Sequence, residues 1–549
     1  MRPLAPLVTL IAIAAMPATA QSEQQLLQDA NKAYGEKRYP EAVSLFTRAF
    51  EMNPSEPSGA YNAACCHALM GDAKASLRYL ERAVLAGFTD ADNAAKDTDL
   101  ELLHSDARWP GLLDRMRTRK IREAAFWQSS ALTSDYKDQL TVDERIAGLS
   151  RFWSEVKFNF FDTDRLVEID WDRLYLQYLP KVRAATSTAE YYRVLTEFCA
   201  RLKDGHTYIS PDWAMRESTQ ARPLIRTRMI EGRVMVTGVF DGALRAKGLV
   251  PGVEITTVDG QPVKAYAETQ LAPYQGASTP QDLEVRVYTR AFLSGPLSES
   301  PLVGCMDAAG KTFSLRVPRV AGAARDEAMP SEPPFTLRML PGQVAHVSLN
   351  GFDSMVTADQ FLADFPQIAK AKALVLDLRA NGGGNSNVGF RILATLADRP
   401  FVTSAWSTRD YKPVFRALGR PNRFFHRGPE RIPVDAARHF AGPVIVLTGP
   451  ATYSAAEDFA VAFDVMQRGV IFGEATGGST GQPLTFKLPG GGWAGVCSKR
   501  DTYPDGRAFV GVGVQPGRLV RPTLADFRMG RDTVLEAALA ELSRLVAVK

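Results

Sequence analysis

Four short β-rich runs, at 344–349, 373–378, 444–448 and 470–473, recur through the C-terminal part of this 549-residue chain with helical patterns between them. Strand-helix alternation of this kind has one economical solution, a layered α/β core with helices packed on a sheet. The chain is too long for a single core, so three or four domains are expected around that one. Apolar residues make up 45% and charged residues 23%, an ordinary globular balance that argues against extended disorder. The net charge of +4 comes without a long basic block, so charge supports neither nucleic-acid nor membrane-surface binding.

The N-terminal end reads differently. Arg2, an apolar run over 7–15, Pro17 and the small residues Ala18-Thr19-Ala20 have the layout of a secretory leader, with Gln21 as the expected mature start. That run is too short to cross about 30 Å of hydrocarbon. An exported protein, periplasmic or secreted, with no integral membrane segment after leader removal, is therefore expected. Residues 23–88 are helical, and Arg48-Ala49 recurs as Arg82-Ala83 at the 34-residue period of tetratricopeptide repeats. A further helical segment is expected at 99–116. Five cysteines (65, 66, 199, 305, 497) show no metal-ligand spacing, and adjacent Cys65 and Cys66 read as buried thiols.

The remaining organisation follows from changes of period. Residues 121–221 read as a helical subdomain ending in Asp204-Gly205-His206-Thr207. Residues 222–320 read as β-rich: a strand at 233–239, the turn Gly248-Leu249-Val250-Pro251-Gly252, then a strand and the turn Asp259-Gly260. This pattern resembles a PDZ domain, with Val253 where that family usually has Asp. A PDZ domain takes an extended peptide as an added strand. Residues 321–334, rich in Pro and small residues, read as a linker, and 335–549 as the α/β core.

Three segments could carry chemistry. In 377–386 (DLRANGGGNS) three glycines lie between a strand and a helix, where main-chain N–H groups can approach an anion. No Lys-Ser/Thr follows, so this is not a phosphate loop. In 447–458 a strand and tight turn lead to Ser454 at the start of an Ala- and Phe-rich helix. Taken alone, Ser454 with Glu457 reads as a helix capping box. The flanks lack G-x-S-x-G, which argues against an α/β-hydrolase. His206 is one of six histidines, and a neutral imidazole is the usual base for a serine nucleophile.

In their order, the DGHT stretch at 204–207, the PDZ-like segment, DLRANGGG, Thr452-Tyr453-Ser454-Ala455-Ala456-Glu457, GEATGG at 473–478 and GVGVQP at 511–516 resemble the tail-specific (C-terminal-processing) and tricorn serine peptidases. The resemblance covers residues 130–549 and leaves the helical repeats outside it. It implies a crotonase-like α/β core, an inserted PDZ domain, and peptide hydrolysis through an acyl-enzyme without metal or cofactor. Position by position, Ser454 matches the nucleophile and His206 the base, while Gly383, Gly384 and the N–H of Ala455 match the oxyanion region. One branch uses a Ser-Lys dyad, and Ser479 stands here where that Lys falls. The tricorn-like branch has a Glu in the final strand region, where this chain has Val510. An orienting acid for His206 is therefore either missing or comes from elsewhere, with Asp501, Glu474 and Glu457 as unranked candidates. A peptide or protein substrate is expected, presented by the PDZ-like groove, with a protein partner on the repeats. Two rivals remain: a binding protein on a retired peptidase fold, and an assembly scaffold.

Overall fold

The computed structural model describes residues 23–329 and 331–547. The expected leader at 1–20 lies outside the described residues. The chain divides into two compact units, the first ending at Ser129 and the second starting at Ser130.

In the first unit, α1 (Glu23–Gly35) pairs with α2 (Tyr39–Met52), and α3 (Ser58–Leu69) pairs with α4 (Ala73–Ala86). Small residues permit the close approach. Ala30, Ala33, Ala42, Ala60, Ala63 and Ala64 are fully buried beside Phe46, Leu77 and Leu80. The Asp72 side chain accepts from the Ala75 N–H to start α4, and Gly87 ends it at φ +118°. Helix α5 (Trp109–Trp127) runs through the boundary expected at 120, because no Gly or Pro interrupts it between Met116 and Trp127. All five cysteines are buried and unpaired. Among the described residues, no helix is long and apolar enough to cross a membrane.

The second unit opens with α6 (Val142–Asn159), α7 (Trp171–Ala184) and α8 (Thr188–Ala200), and Thr141 and Glu144 form a capping box at the start of α6. Their shared core includes Phe152, Trp171 and Phe198, with Trp171 and Phe198 stacked at 4.2 Å. After α8 the chain passes His206 and enters β1 (Tyr208–Ser210). An antiparallel sheet follows, made of β2 (Ile225–Ile230), β3 (Arg233–Val239), β4 (Glu254–Val258), β5 (Leu302–Met306) and β6 (Thr312–Arg316), in that spatial order. The stretch expected to be a linker contains a helix, Gly322–Ala328, whose sequence GAARDEA is rich in helix formers.

The main strands of the remaining part are β7 (Phe335–Leu340), β8 (Val344–Leu349), β9 (Ala373–Asp377), β10 (Ala405–Asp410), β11 (Arg423–Arg427), β12 (Val444–Thr448), β13 (Val470–Gly473), β14 (Pro483–Lys487), β15 (Trp493–Cys497), β16 (Lys499–Thr502) and β17 (Arg518–Leu519). Its main helices are α9 (Val356–Ile368), α10 (Ser386–Leu393), α11 (Ala455–Met466) and α12 (Thr533–Ala547). The six-stranded sheet runs β17-β13-β12-β9-β8-β7. Its pairs are parallel except β7, which lies antiparallel on β8. Every residue of β9 and β12 is buried, as central parallel strands require. Leu374 and Leu376 face the core shared with α9, α10 and α11, while Ala373 and Val375 face Val534, Ala538 and Leu542 of α12.

Beyond this sheet, β1 pairs with β15, which also pairs with β14, and β16 pairs with β10, which pairs with β11. The first of these small sheets packs Phe486, Ala494 and Val496 against α6 to α8. The helical subdomain is thereby welded to the α/β core.

Arg379 ties the end of β9 to the start of α12. Its guanidinium donates to both oxygens of Asp532 at 2.8 and 2.7 Å and to Asp377 Oδ2 at 2.6 Å. Burial alone would raise the Asp377 carboxyl, but hydrogen bonds from His346 and Arg379 outweigh it and hold it well below the usual range. Removing one partner of a largely buried pair leaves the other charge uncompensated. Arg379→Ala should therefore cost about 3 kcal/mol in urea unfolding. A loss below about 1 kcal/mol would show that the clamp is not integral to the core.

Candidate active site

Ser454 sits where β12 turns into α11, at φ +56° and ψ −124°. A non-glycine residue is costly in this region and persists only when its surroundings hold it there. They do so through hydrogen bonds. The Ser454 N–H meets Ser479 O and Glu457 Oε2, both at 3.1 Å, while Ser454 O accepts from Glu457 N–H at 2.7 Å. The strained turn aims Oγ out of the helix, 3.1 Å from His206 Nε2.

His206 arrives from the opposite side, on the loop between α8 and β1. Asp204 Oδ2 accepts the His206 N–H at 3.1 Å, and Thr207 Oγ1 accepts the Cys497 N–H at 3.0 Å. The imidazole lies flat on Tyr453, with ring centroids 5.1 Å apart and planes 5° apart. Gly205 leaves the room for this, since a Cβ there would fall 1.8 Å from Tyr453 Oη. Arg286 locks the stack, donating to Tyr453 Oη at 2.9 Å, Gly205 O at 3.1 Å and Asp282 Oδ1 at 2.8 Å. The ring keeps some exposed surface, yet its packed surroundings desolvate it. Burial first, then the charges of Arg286 and Lys499, push His206 down to about 3. Near neutral pH it is an uncharged imidazole.

The glycine loop passes directly over the serine. A Cβ on Gly383 (φ +102°) would lie 2.6 Å from Ser454 Cβ, and one on Gly384 (φ +131°) 2.3 Å from Phe352 C. Gly383 donates its own N–H to Asn381 Oδ1 at 2.9 Å, so of the three amides expected to meet an oxyanion this one is already committed. Phe352 bonds to Gly383 O and to the Asn385 N–H, which turns the Gly384 amide the other way. Among the described residues, the N–H groups of Gly384 and Ala455 have no acceptor.

None of the three candidate acids bonds to His206. Glu474 pairs with Arg228 at 3.3 Å and Arg521 at 3.8 Å. Asp501 accepts from Thr480 Oγ1 at 2.7 Å and Lys499 Nζ at 2.9 Å. Glu457 is fully buried and taken up by Thr476 Oγ1 (2.6 Å) and the N–H groups of Gly478 (2.7 Å), Ser479 (2.9 Å) and Ser454. Burial pushes its carboxyl up to about 8, against the pull of those four donors. The group at His206 Nδ1 is Ser479 Oγ, 2.8 Å away. Val510 is packed in the apolar core. Ser479 was visible in the sequence as the residue at the dyad-lysine position. Arg286 carried no motif that would have singled it out, and Asn381 was visible only as part of the DLRANGGG run, without a role of its own.

A neutral imidazole facing a serine hydroxyl on a strained strand-to-helix turn defines a Ser-His site of the serine-hydrolase kind. Residues 343–520 match peptidase family S41, and residues 148–200 match the tricorn protease C1 domain. Over 285 residues the chain is 26% identical to the C-terminal processing peptidase, chloroplastic, of Tetradesmus obliquus, covering 52% of this chain and 55% of that one. Over 211 residues it is 28% identical to the carboxyl-terminal-processing protease of Picosynechococcus sp., covering 38% and 47%. The chain thus spans about half the length of these relatives. Mature CPAF complexed with lactacystin has a TM-score of 0.58 at 14% identity, with 74% of this chain and 98% of that one covered, a likeness of fold. The chain carries a peptidase family S41 domain joined to a tricorn C1 domain, and is homologous to proteins named C-terminal processing peptidase.

The histidine environment can be checked without any substrate. Folded His206 resists protonation while an unfolded one accepts it near 6.5, so its contribution to stability falls as pH drops from about 6.5 towards 3. An imidazole NMR titration, assigned by difference with His206→Ala, should show His206 still neutral at about pH 5. Titration near 6.5 would contradict the packed, cation-flanked site.

Proposed function

We propose that the protein is an exported serine peptidase in which Ser454 attacks a peptide carbonyl and His206 is its base. The observation that carries this reading is the 3.1 Å approach of His206 Nε2 to Ser454 Oγ at a strained turn. With Nδ1–H donating to Ser479 Oγ, Nε2 presents its lone pair to the serine hydroxyl. Ser454 Oγ bonds to the carbonyl carbon as its proton passes to Nε2. The amides of Gly384 and Ala455 take the oxyanion, each donor contributing about 2.7–4 kcal/mol to the transition state. His206 then protonates the leaving amine, and water repeats the sequence to release the acyl group.

The surrounding units fit the same reading. The sheet over 222–320, with Gly248 and Gly252 at positive φ in its turn, acts as a PDZ-like module that presents extended peptides. The paired helices α1 to α4, with their 34-residue recurrence, act as tetratricopeptide-like repeats for a protein partner. The crotonase-like core carries the chemistry, and the leader at 1–20 directs export.

Labelling of purified protein with a fluorophosphonate tests the reaction. Wild type should be labelled, and Ser454→Ala and His206→Ala should not. Ser479→Ala should label about tenfold more slowly, the worth of one orienting hydrogen bond. A folded wild type that resists the probe would make this a binding protein on a peptidase fold, a reading favoured by the absence of an acid at Nδ1.

A further inference from the structure

Immediately beside Ser454 lies a cavity of about 330 Å³, walled on one side by Gly384 and Ala455. It is the size of a pocket for one long side chain. Because the two amides that would receive an oxyanion form its rim, a carbonyl bound there directs the side chain of its own residue into this space.

The cavity holds two carboxylates and one ammonium. Asp458 follows Ser454 by four residues, so it lies one helical turn along the same face of α11. Its oxygens accept from Ser386 Oγ at 2.6 Å and Ser404 Oγ at 2.8 Å, both neutral donors. Among the described residues, Asp458 has no ion-pair partner, whereas Lys499 is bonded to Asp501 at 2.9 Å. Burial and then the neighbouring Asp501 push Asp458 up to about 6 against the pull of the Lys499 ammonium, so that two carboxylates share one cation here. It is 8% exposed. Two buried carboxylates with one cation between them are costly, and a guest that brings a second cation removes the cost. An apolar guest would instead strip water from these groups and return nothing.

We infer that this cavity is the side-chain pocket for the residue whose carbonyl Ser454 attacks, and that Asp458 selects lysine or arginine there. The inference rests on the peptidase reading above. It assigns a substrate class, peptide bonds following a basic residue, that neither the family match nor the catalytic pair specifies.

Quenched fluorescent peptides that differ at one position (Lys, Arg, Gln, Leu or Glu before the scissile bond) separate the two ideas, with fluorophosphonate labelling run in parallel. Wild type should prefer Lys or Arg over Leu and Gln by at least about tenfold in kcat/KM. Asp458→Asn should collapse the Lys-to-Gln ratio by a similar factor. Lys499→Met, which removes the competing cation, should raise the Lys-to-Leu ratio and gives a second readout should Asp458→Asn not fold. Labelled wild type that prefers Leu, or an unchanged ratio in folded Asp458→Asn, would overturn the pocket assignment alone. A preference for Glu would make Lys499 the reader and equally overturn it. An unlabelled, folded wild type would remove the peptidase reading and the pocket with it.

Discussion

The buried carboxyl group of Glu457 is the constraint on which the site depends. Four donors converge on it, from Ser454, Gly478, Ser479 and Thr476. Two of those residues flank the imidazole, Ser454 at Nε2 and Ser479 at Nδ1. One carboxyl group thus sets the distance between the turn carrying the serine and the segment that meets the far side of the ring. A group of this kind is expensive to bury, and four satisfied donors are what make it tolerable. Glu457 holds the backbone of Ser479, whose hydroxyl meets Nδ1, and does not itself touch the histidine.

The imidazole is tuned by the same packing. Arg286 comes from the stretch between β4 and β5 of the antiparallel sheet, yet it bonds to the loop before His206 and to the tyrosine beneath the ring. Thr279 and Gln281 of that stretch also reach Gly477 and Thr476, at 2.8 and 3.0 Å. This stretch is therefore part of the frame of the site, as well as a neighbour of it. Cations near an imidazole keep it neutral, which is the protonation state a general base needs before reaction. The glycine loop is arranged differently, with Gly383 and Gly384 at positive φ where a Cβ would collide with Ser454 and with Phe352 respectively.

Much of this was legible in the chain itself. The strands at 344–349, 373–378, 444–448 and 470–473 appear within a residue of their expected bounds, because apolar β-branched runs in an α/β protein have few other places to go. Ser454, His206 and the glycine loop come together although 248 residues separate the first two. The domain edges were less legible. Helix α5 overran one boundary and a short helix occupied the supposed linker, since composition reports propensity and not where packing stops. The partner of Nδ1 was the least legible part of the site. Asp501, Glu474 and Glu457 are all present, and each is claimed by donors that sequence distance conceals.

What the sequence determined by itself is the set of local commitments. These are the buried strands, the helix starts, the glycines that admit unusual backbone angles, and the residue types able to form a nucleophile and base. Each depends on a few neighbouring residues, so it can be read from them. The tertiary structure decided which donors reach which acceptors: that Ser479 and not an acid meets Nδ1, that Gly383 has already given up its N–H, and that Asp458 and Asp501 share the single ammonium of Lys499. Those outcomes depend on long-range packing of loops from five segments, and burial then sets the protonation and pairing of every group among them.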